Sequence, residues 1–418
     1  MLIEFSVENF MCFKNEVTFS FEAMEDLAED KFYNPESRRD IGIDGIGLIN
    51  TVNGIYGKNA SGKSTLLRAI ATLYNALNYT YTNAGGFSGG LMQLLNPILR
   101  GSKAYSENLP IKFKGKFANP EAQLTYIYEI HIKSNDQSIV KETLTQGEHL
   151  IFDRPTHLEE GTYNCFDETE INLLFKHIRT QQPILSSNIL TNLDSVKDFY
   201  KNRQPAFIDL SDSHYRGSVT SSYTRQNFMM GSYIASLLEN PIIKPFILEE
   251  LRMADFTIEN YSIHKFPFEE EDKEEGDDYL LYFHHKNKTL SFFEESLGTQ
   301  KYFFLLLEAF IALEQGKLLV IDELEKALHP LLARRFINLF KNPETNPKNA
   351  RLLFSSHDMM FLHQSVLNGD QIWFIDRDDQ DGTTLYSPAE YADFDPLHVQ
   401  KDYTLGCYGA VPNTDWRG

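Results

Sequence analysis

Eight residues, GKNASGKS from Gly57 to Ser64, constrain this chain more than any other stretch, because they fit the spacing G-x-x-x-x-G-K-S of a loop that wraps phosphate. Such a loop must aim consecutive backbone N–H groups inward. That needs glycine at the tight turns and a helix behind whose positive end faces the anion. The flanks meet the requirement. LINTVNGIYG, Leu48 to Gly57, is apolar and β-branched and predicts a buried strand, and TLLRAIATLYNAL, Thr65 to Leu77, predicts an amphipathic helix. Gly57, Asn59, Ala60, Ser61, Gly62, Lys63, Ser64 and Thr65 are therefore candidate binders of ATP. In this pattern Lys63 supplies charge to the β- and γ-phosphates, and the Ser64 hydroxyl is a ligand for Mg²⁺.

A second element lies at Leu318 to Glu323, where a short apolar run leads into two acids. Continuous apolarity predicts a central parallel strand, and ligands collect at the carboxyl ends of such strands. Asp322 is expected to join Ser64 in the Mg²⁺ shell, while Glu323, one residue on, is expected to orient or deprotonate the attacking water. RLLFSS, Arg351 to Ser356, predicts a neighbouring strand ending at His357, which could hydrogen-bond a γ-phosphate. SLGTQ, Ser296 to Gln300, precedes an apolar helix expected over Lys301 to Leu313. Ser296 suits the N-cap of that helix, and the amides around Gly298, Thr299 and Gln300 form a candidate anion site.

Taken together, these segments resemble the ABC-type ATPases of the SMC/Rad50/RecF group, and more narrowly the compact RloA/AbiL-type ATPases of bacterial anti-phage and restriction-linked loci. IEFSVENFMCFKNE, Ile3 to Glu16, is similar to the group's first strand and turn, with Met11 and Cys12 where the group usually has Arg and Ser. EESLGTQK, Glu294 to Lys301, resembles the signature that, in these relatives, binds the γ-phosphate held by the other subunit. LEKALHP, Leu324 to Pro330, resembles the segment after the catalytic carboxylate. QIWFIDRD, LYSPAEY and YTLGCYGAVP, between Gln371 and Pro412, resemble the tail. The resemblance covers the first hundred residues and everything from about Glu294 onward. It implies an α/β P-loop NTPase of ABC/Rad50-head type with a mixed sheet, an antiparallel flank, a mainly helical insertion and no long coiled coil. It further implies a homodimer or higher oligomer with ATP at the interface, in which Ser296, Gly298, Thr299 and Gln300 complete the partner's site. The companion would be an effector or nuclease, often an RloB-like protein with a TOPRIM-type fold. A RecF/SMC-like DNA repair or DNA-binding ATPase is the alternative.

Three regions are expected: 1–150 with the phosphate loop, 151–255 as the helical insertion, and 256–418 with the signature, the paired acids and the tail. A formal net charge of −20 opposes sequence-independent duplex binding, whose affinity comes largely from neutralised phosphates, and favours protein partners. The acidic run Glu269 to Asp278 lies between two strand-like segments and predicts a solvated hairpin loop. Asp376, Asp378, Asp379 and Asp381 follow a strand as a nuclease cluster would, but Asp381-Gly382 begins a turn into another strand, so a hairpin is expected. Cys12, Cys165 and Cys407 have neither disulfide nor zinc spacing, which fits a reducing cytoplasm. The N-terminus lacks the pattern of a secretory leader, and no segment reaches the roughly 20 apolar residues that span a bilayer.

Overall fold

The computed structural model describes residues 1–24, 35–78, 105–136, 138–164, 166–178, 182–186, 199, 207–209, 230–265, 278–378 and 382–411. In chain order the elements begin with β1 (Leu2–Glu8), β2 (Val17–Ser20), β3 (Arg38–Arg39), β4 (Ile49–Asn50), β5 (Val52–Tyr56) and α1 (Lys63–Asn78). Next come β6 (Ile111–Asn119), β7 (Leu124–Ile132), β8 (Ile139–Gln146), β9 (His149–Pro155), β10 (Thr162–Tyr163) and α2 (Glu168–His177). Then follow β11 (Phe207–Asp209), β12 (Met230–Gly231), α3 (Ser232–Glu239), α4 (Ile243–Ala254), β13 (Ile258–Lys265), β14 (Asp278–His285) and β15 (Thr289–Ser291). The last part holds α5 (Leu297–Gln315), β16 (Leu318–Ile321), α6 (Pro330–Lys341), β17 (Arg351–Ser355), β18 (Ile372–Asp378), β19 (Gly382–Tyr386) and α7 (Val399–Thr404).

The functional sheet has strand order β11-β16-β17-β5-β18-β19, parallel throughout except for the β18–β19 hairpin. Its central strands are buried along their whole length, which is why they read as continuous apolar runs. Alternation along each strand feeds two cores. Leu318, Val320, Leu353 and Ile375 join α1 and the antiparallel sheet on one face, whereas Leu319, Ile321, Leu352 and Phe374 join α5 and α6 on the other.

The flank is an antiparallel sheet, β10-β9-β8-β7-β6-β1-β2. Here the one-sided burial of an antiparallel sheet is visible in sequence: Ile111, Phe113 and Phe117 of β6 are buried, while Lys112 and Lys116 between them pair with Glu8 and Glu22. A smaller sheet, β12-β14-β13 with β15 paired to β14, stands before α5. The α/β P-loop fold, its mixed sheet and its antiparallel flank are those expected, and among the described residues no helix is longer than the 19 residues of α5.

Several local expectations shift. The strand expected over Leu48 to Gly57 is divided: β4 pairs with β3, and only β5 enters the parallel sheet. The helix expected from Lys301 starts at Leu297, because Ser296 caps it by accepting from the Thr299 N–H at 3.1 Å, so the signature is itself the first turn. Between residues 151 and 255, α2, α3 and α4 are accompanied by strands: β9 and β10 extend the antiparallel sheet, and β11 forms an edge of the parallel one. β13 and β14 pair antiparallel across the acidic run, of which residues 269–277 lie outside those described. Asp378 pairs with Gly382 in the expected hairpin, while Asp379, Asp381, Cys165 and Pro412 also lie outside. No described helix is long and apolar enough to cross a membrane.

Candidate nucleotide-binding site

A cavity of about 550 Å³ opens at the carboxyl ends of β16, β17, β5 and β18, lined by residues 59–65 together with Asp322, Glu323, His357, Met11, Cys12 and Arg377. The loop between β5 and α1 forms its floor. Gly57 has φ 151°, and a Cβ there would lie 2.3 Å from the Ile375 carbonyl oxygen, so only glycine lets the loop pass the end of β18. Gly62 (φ 123°) would place a Cβ 2.9 Å from Cys12 Sγ. The glycines expected at those positions are thus demanded by their positive φ and by close packing, against backbone at Gly57 and against the Cys12 side chain at Gly62.

Lys63 is buried and folds back along the loop, donating to the carbonyls of Gly57 at 2.8 Å and Lys58 at 3.1 Å. Desolvation lowers its pKa, opposed by the charges of Asp322, Glu323 and Glu325. Ser61 is also buried, and its hydroxyl has no protein partner among the described residues. Ser64 and Thr65 open α1 at the cavity wall, half-buried.

On the facing wall Asp322 and Glu323 directly follow β16, and Ser355, the last residue of β17, holds both of them. Its hydroxyl donates to Asp322 Oδ1 at 2.5 Å and accepts from the Glu323 N–H at 2.8 Å. Glu323 has a left-handed backbone, φ 54°, and the next N–H, that of Leu324, donates to the Ser355 carbonyl at 3.1 Å. This bend takes the chain out of the strand at the acid. The Glu323 carboxylate is paired with Lys326 at 3.1 Å, on the exposed side of the turn. His357 follows β17, its N–H donating to Glu325 at 2.7 Å. Partial desolvation first, then the nearby charge of Lys63, lowers the pKa of its imidazole, opposed by the charges of Glu325, Glu323 and Asp322.

Of the residues expected to act together, Asn59 to Thr65, Asp322, Glu323 and His357 line one cavity. Ser296, Gly298, Thr299 and Gln300 do not line it. They sit at the start of α5, where Gln300 Nε2 donates to the Glu295 carbonyl at 2.8 Å and a Cβ on Gly298 would lie 2.9 Å from the Ala327 carbonyl. Lys301, one residue further, donates to the Glu323 carbonyl at 3.2 Å. Beneath this turn Glu295 is buried against His285 at 2.6 Å.

Sequence reasoning missed Ser355 and Arg377. Ser355 was visible only as one of two serines ending an apolar strand. Arg377 lies near the end of β18, and its place beside the loop depends on the pairing of β18 with β5, which no local pattern announces.

The residues present suit Mg²⁺ as a nucleotide counter-ion. That ion is usually bound through one or two protein oxygens, with phosphates and waters completing its shell. Ser64 and Asp322 supply a hydroxyl and a buried carboxylate in one cavity.

The chain is similar in structure to the SMC head domain from Thermotoga maritima, with 12% identity over 92% of this chain and 98% of that one, and a TM-score of 0.40. It is also similar to the Smc head domain with an extended coiled coil bound to the C-terminal domain of ScpA from Pyrococcus furiosus (12% identity, 92% and 96% covered, TM-score 0.44). A third is the Smc head domain with a coiled coil and joint from Pyrococcus yayanosii (9% identity, 97% and 99% covered, TM-score 0.47). No curated protein matches the chain in sequence. The family model described as "AAA domain, putative AbiEii toxin, Type IV TA system" matches residues 52–362, from β5 to just beyond His357. That span is most of the chain and contains every catalytic and metal-binding candidate, and the protein belongs to this family of AAA, P-loop ATPases.

Proposed function

We propose that this protein is an ATP-hydrolysing, Mg²⁺-dependent switch that dimerises around its nucleotide and controls a companion effector or nuclease in a bacterial anti-phage system. The observation that carries the reading is the convergence of Lys63, Ser64, Asp322, Glu323 and His357 on one cavity from three adjacent parallel strands. Lys63 and the loop amides hold the phosphates, and Ser64 and Asp322 hold the metal, which neutralises charge on the transferring group. Glu323 orients the attacking water and takes its proton, and His357 contacts the γ-phosphate. The signature residues lie away from the chain's own cavity, and Leu297 among them is 66% exposed, which supports completion of the site by a second copy. The family's toxin–antitoxin description and the net charge of −20 support a protein effector rather than DNA as the partner.

The test is to size Glu323→Gln with and without ATP and Mg²⁺ after co-expression with its genomic neighbour. An ATP-dependent dimer that carries the neighbour is the expected result. A monomer indifferent to ATP would sink the dimeric switch, and salt-sensitive duplex binding without the neighbour would favour a DNA-acting ATPase.

A further inference from the structure

We propose that Arg377 is a nucleotide-binding residue that grips the α-phosphate side of the ligand, and so holds ATP and ADP alike. The inference rests on the reading of the cavity as a nucleotide site.

Strand order supplies the direction. Asp322 and Glu323 follow β16 and His357 follows β17, both on one side of β5 and its loop, whereas Arg377 stands on β18, on the other side. The bond to be broken must lie beside the metal ligands and the acid that activates water, hence toward β16 and β17. The rest of the polyphosphate, and the nucleoside after it, then run toward β18 and the Phe10–Phe13 turn, where Met11 and Cys12 line the cavity.

Charge leads to the same residue. Among the described lining residues, Lys63 and Arg377 are the two that carry a lysine or arginine charge. Lys63 is buried and bonded to loop carbonyls, while Arg377 is exposed and its guanidinium has no hydrogen-bond or ion-pair partner among the described residues. Its backbone, by contrast, is fixed. Lys58 of the loop donates to the Arg377 carbonyl at 3.1 Å and pairs with the Asp376 carboxylate at 3.1 Å, and Gly57 is seated against the Ile375 carbonyl. The strand end and the phosphate loop are therefore clamped together, with a forked donor at the cavity wall that no described residue engages. A guanidinium on a fixed backbone suits bidentate contact with a phosphate.

Calorimetric titration of Mg-ATP and Mg-ADP into wild type, Arg377→Ala, Arg377→Lys, His357→Ala and Lys63→Ala tests this. Arg377→Ala is expected to weaken ATP and ADP equally, by about ten-fold, with Arg377→Lys between it and wild type. His357→Ala is expected to weaken ATP alone. Equal affinities for Arg377→Ala and wild type, with binding abolished in Lys63→Ala, overturn the inference and leave the nucleotide reading intact. Loss of ATP but not ADP affinity in Arg377→Ala overturns the α-phosphate placement. A wild-type protein that binds neither nucleotide overturns both the reading and the inference. Because Arg377 is exposed, unchanged melting of the variant shows that a loss is one of binding.

Discussion

Two helices of this protein, α1 and α5, begin with a turn read in the sequence as a candidate anion site, and they differ in what occupies that turn. At α1 the residues before the helix are a glycine loop whose lysine folds along its own carbonyls, and the first turn opens onto the cavity that the acids of β16 face. At α5 the turn is closed by its own serine, which accepts from the Thr299 N–H, and Gln300 is tied to the Glu295 carbonyl. The first site is assembled within one chain. The second is held in shape by its own side chains and lies outside that cavity. On the proposed function this is the difference between a site one chain builds by itself and a surface that a second copy would have to bring to its ligand.

Breaking the first site should give the largest effects. Glu323→Gln keeps the left-handed bend and its bond to Ser355 but removes the base, so turnover should fall by about 10²–10⁴-fold in a phosphate-release assay, with ATP still bound. A variant that turned over as wild type would move the base elsewhere. Next is Ser355→Ala, which strips a charged hydrogen bond from buried Asp322 and leaves the Glu323 N–H without its partner. A cost of about 1–3 kcal/mol, read as a fall in melting temperature together with weaker Mg²⁺ dependence, is expected.

The second site calls for a substitution that separates capping from ligand binding. Ser296→Ala should cost about 1 kcal/mol of stability, whereas Ser296→Asp should preserve the cap. If α5 meets a partner's γ-phosphate, the aspartate variant should melt as wild type yet lose ATP-dependent dimerisation through like-charge repulsion. Dimerisation unchanged in that variant would reduce the signature to a helix cap.

The smallest effect concerns pH. The imidazole of His357 has its pKa lowered from 6.5 in the folded chain, so the unfolded chain binds this proton more readily. Wild type and His357→Gln should melt alike in their pH trend above that value, and as pH falls below it nucleotide-free wild type should lose stability that His357→Gln keeps. Parallel melting curves from pH 8 to 5 would show that the ring is not desolvated.

Much of the first site was legible because it is local. Spacing within eight residues defines a phosphate loop, and an apolar run ending in two acids defines a strand end, since both follow from backbone geometry over a few residues. Ser296 was legible as a helix cap, but the helix start was placed four residues late, at Lys301, because the apolar run begins there while Leu297 to Gln300 already form the first turn. Ser355 escaped notice for another reason: its importance comes from the register between β16 and β17, which sets Phe354 opposite Ile321 and places the serine beside the acids.

What the amino-acid sequence determined unaided was the fold class and the local setting of Lys63, Ser64, Asp322 and Glu323 on a glycine loop and a strand end, because periodicity and short-range spacing encode strands, helices and tight turns. Strand order belonged to the tertiary structure. It alone put β17 between β16 and β5, made Ser355 the brace of both acids, and brought Arg377 to the loop through a pairing more than three hundred residues long in the chain. Such contacts are chosen by which apolar faces pack together over long separations. That choice depends on the whole core and leaves no pattern in any one segment.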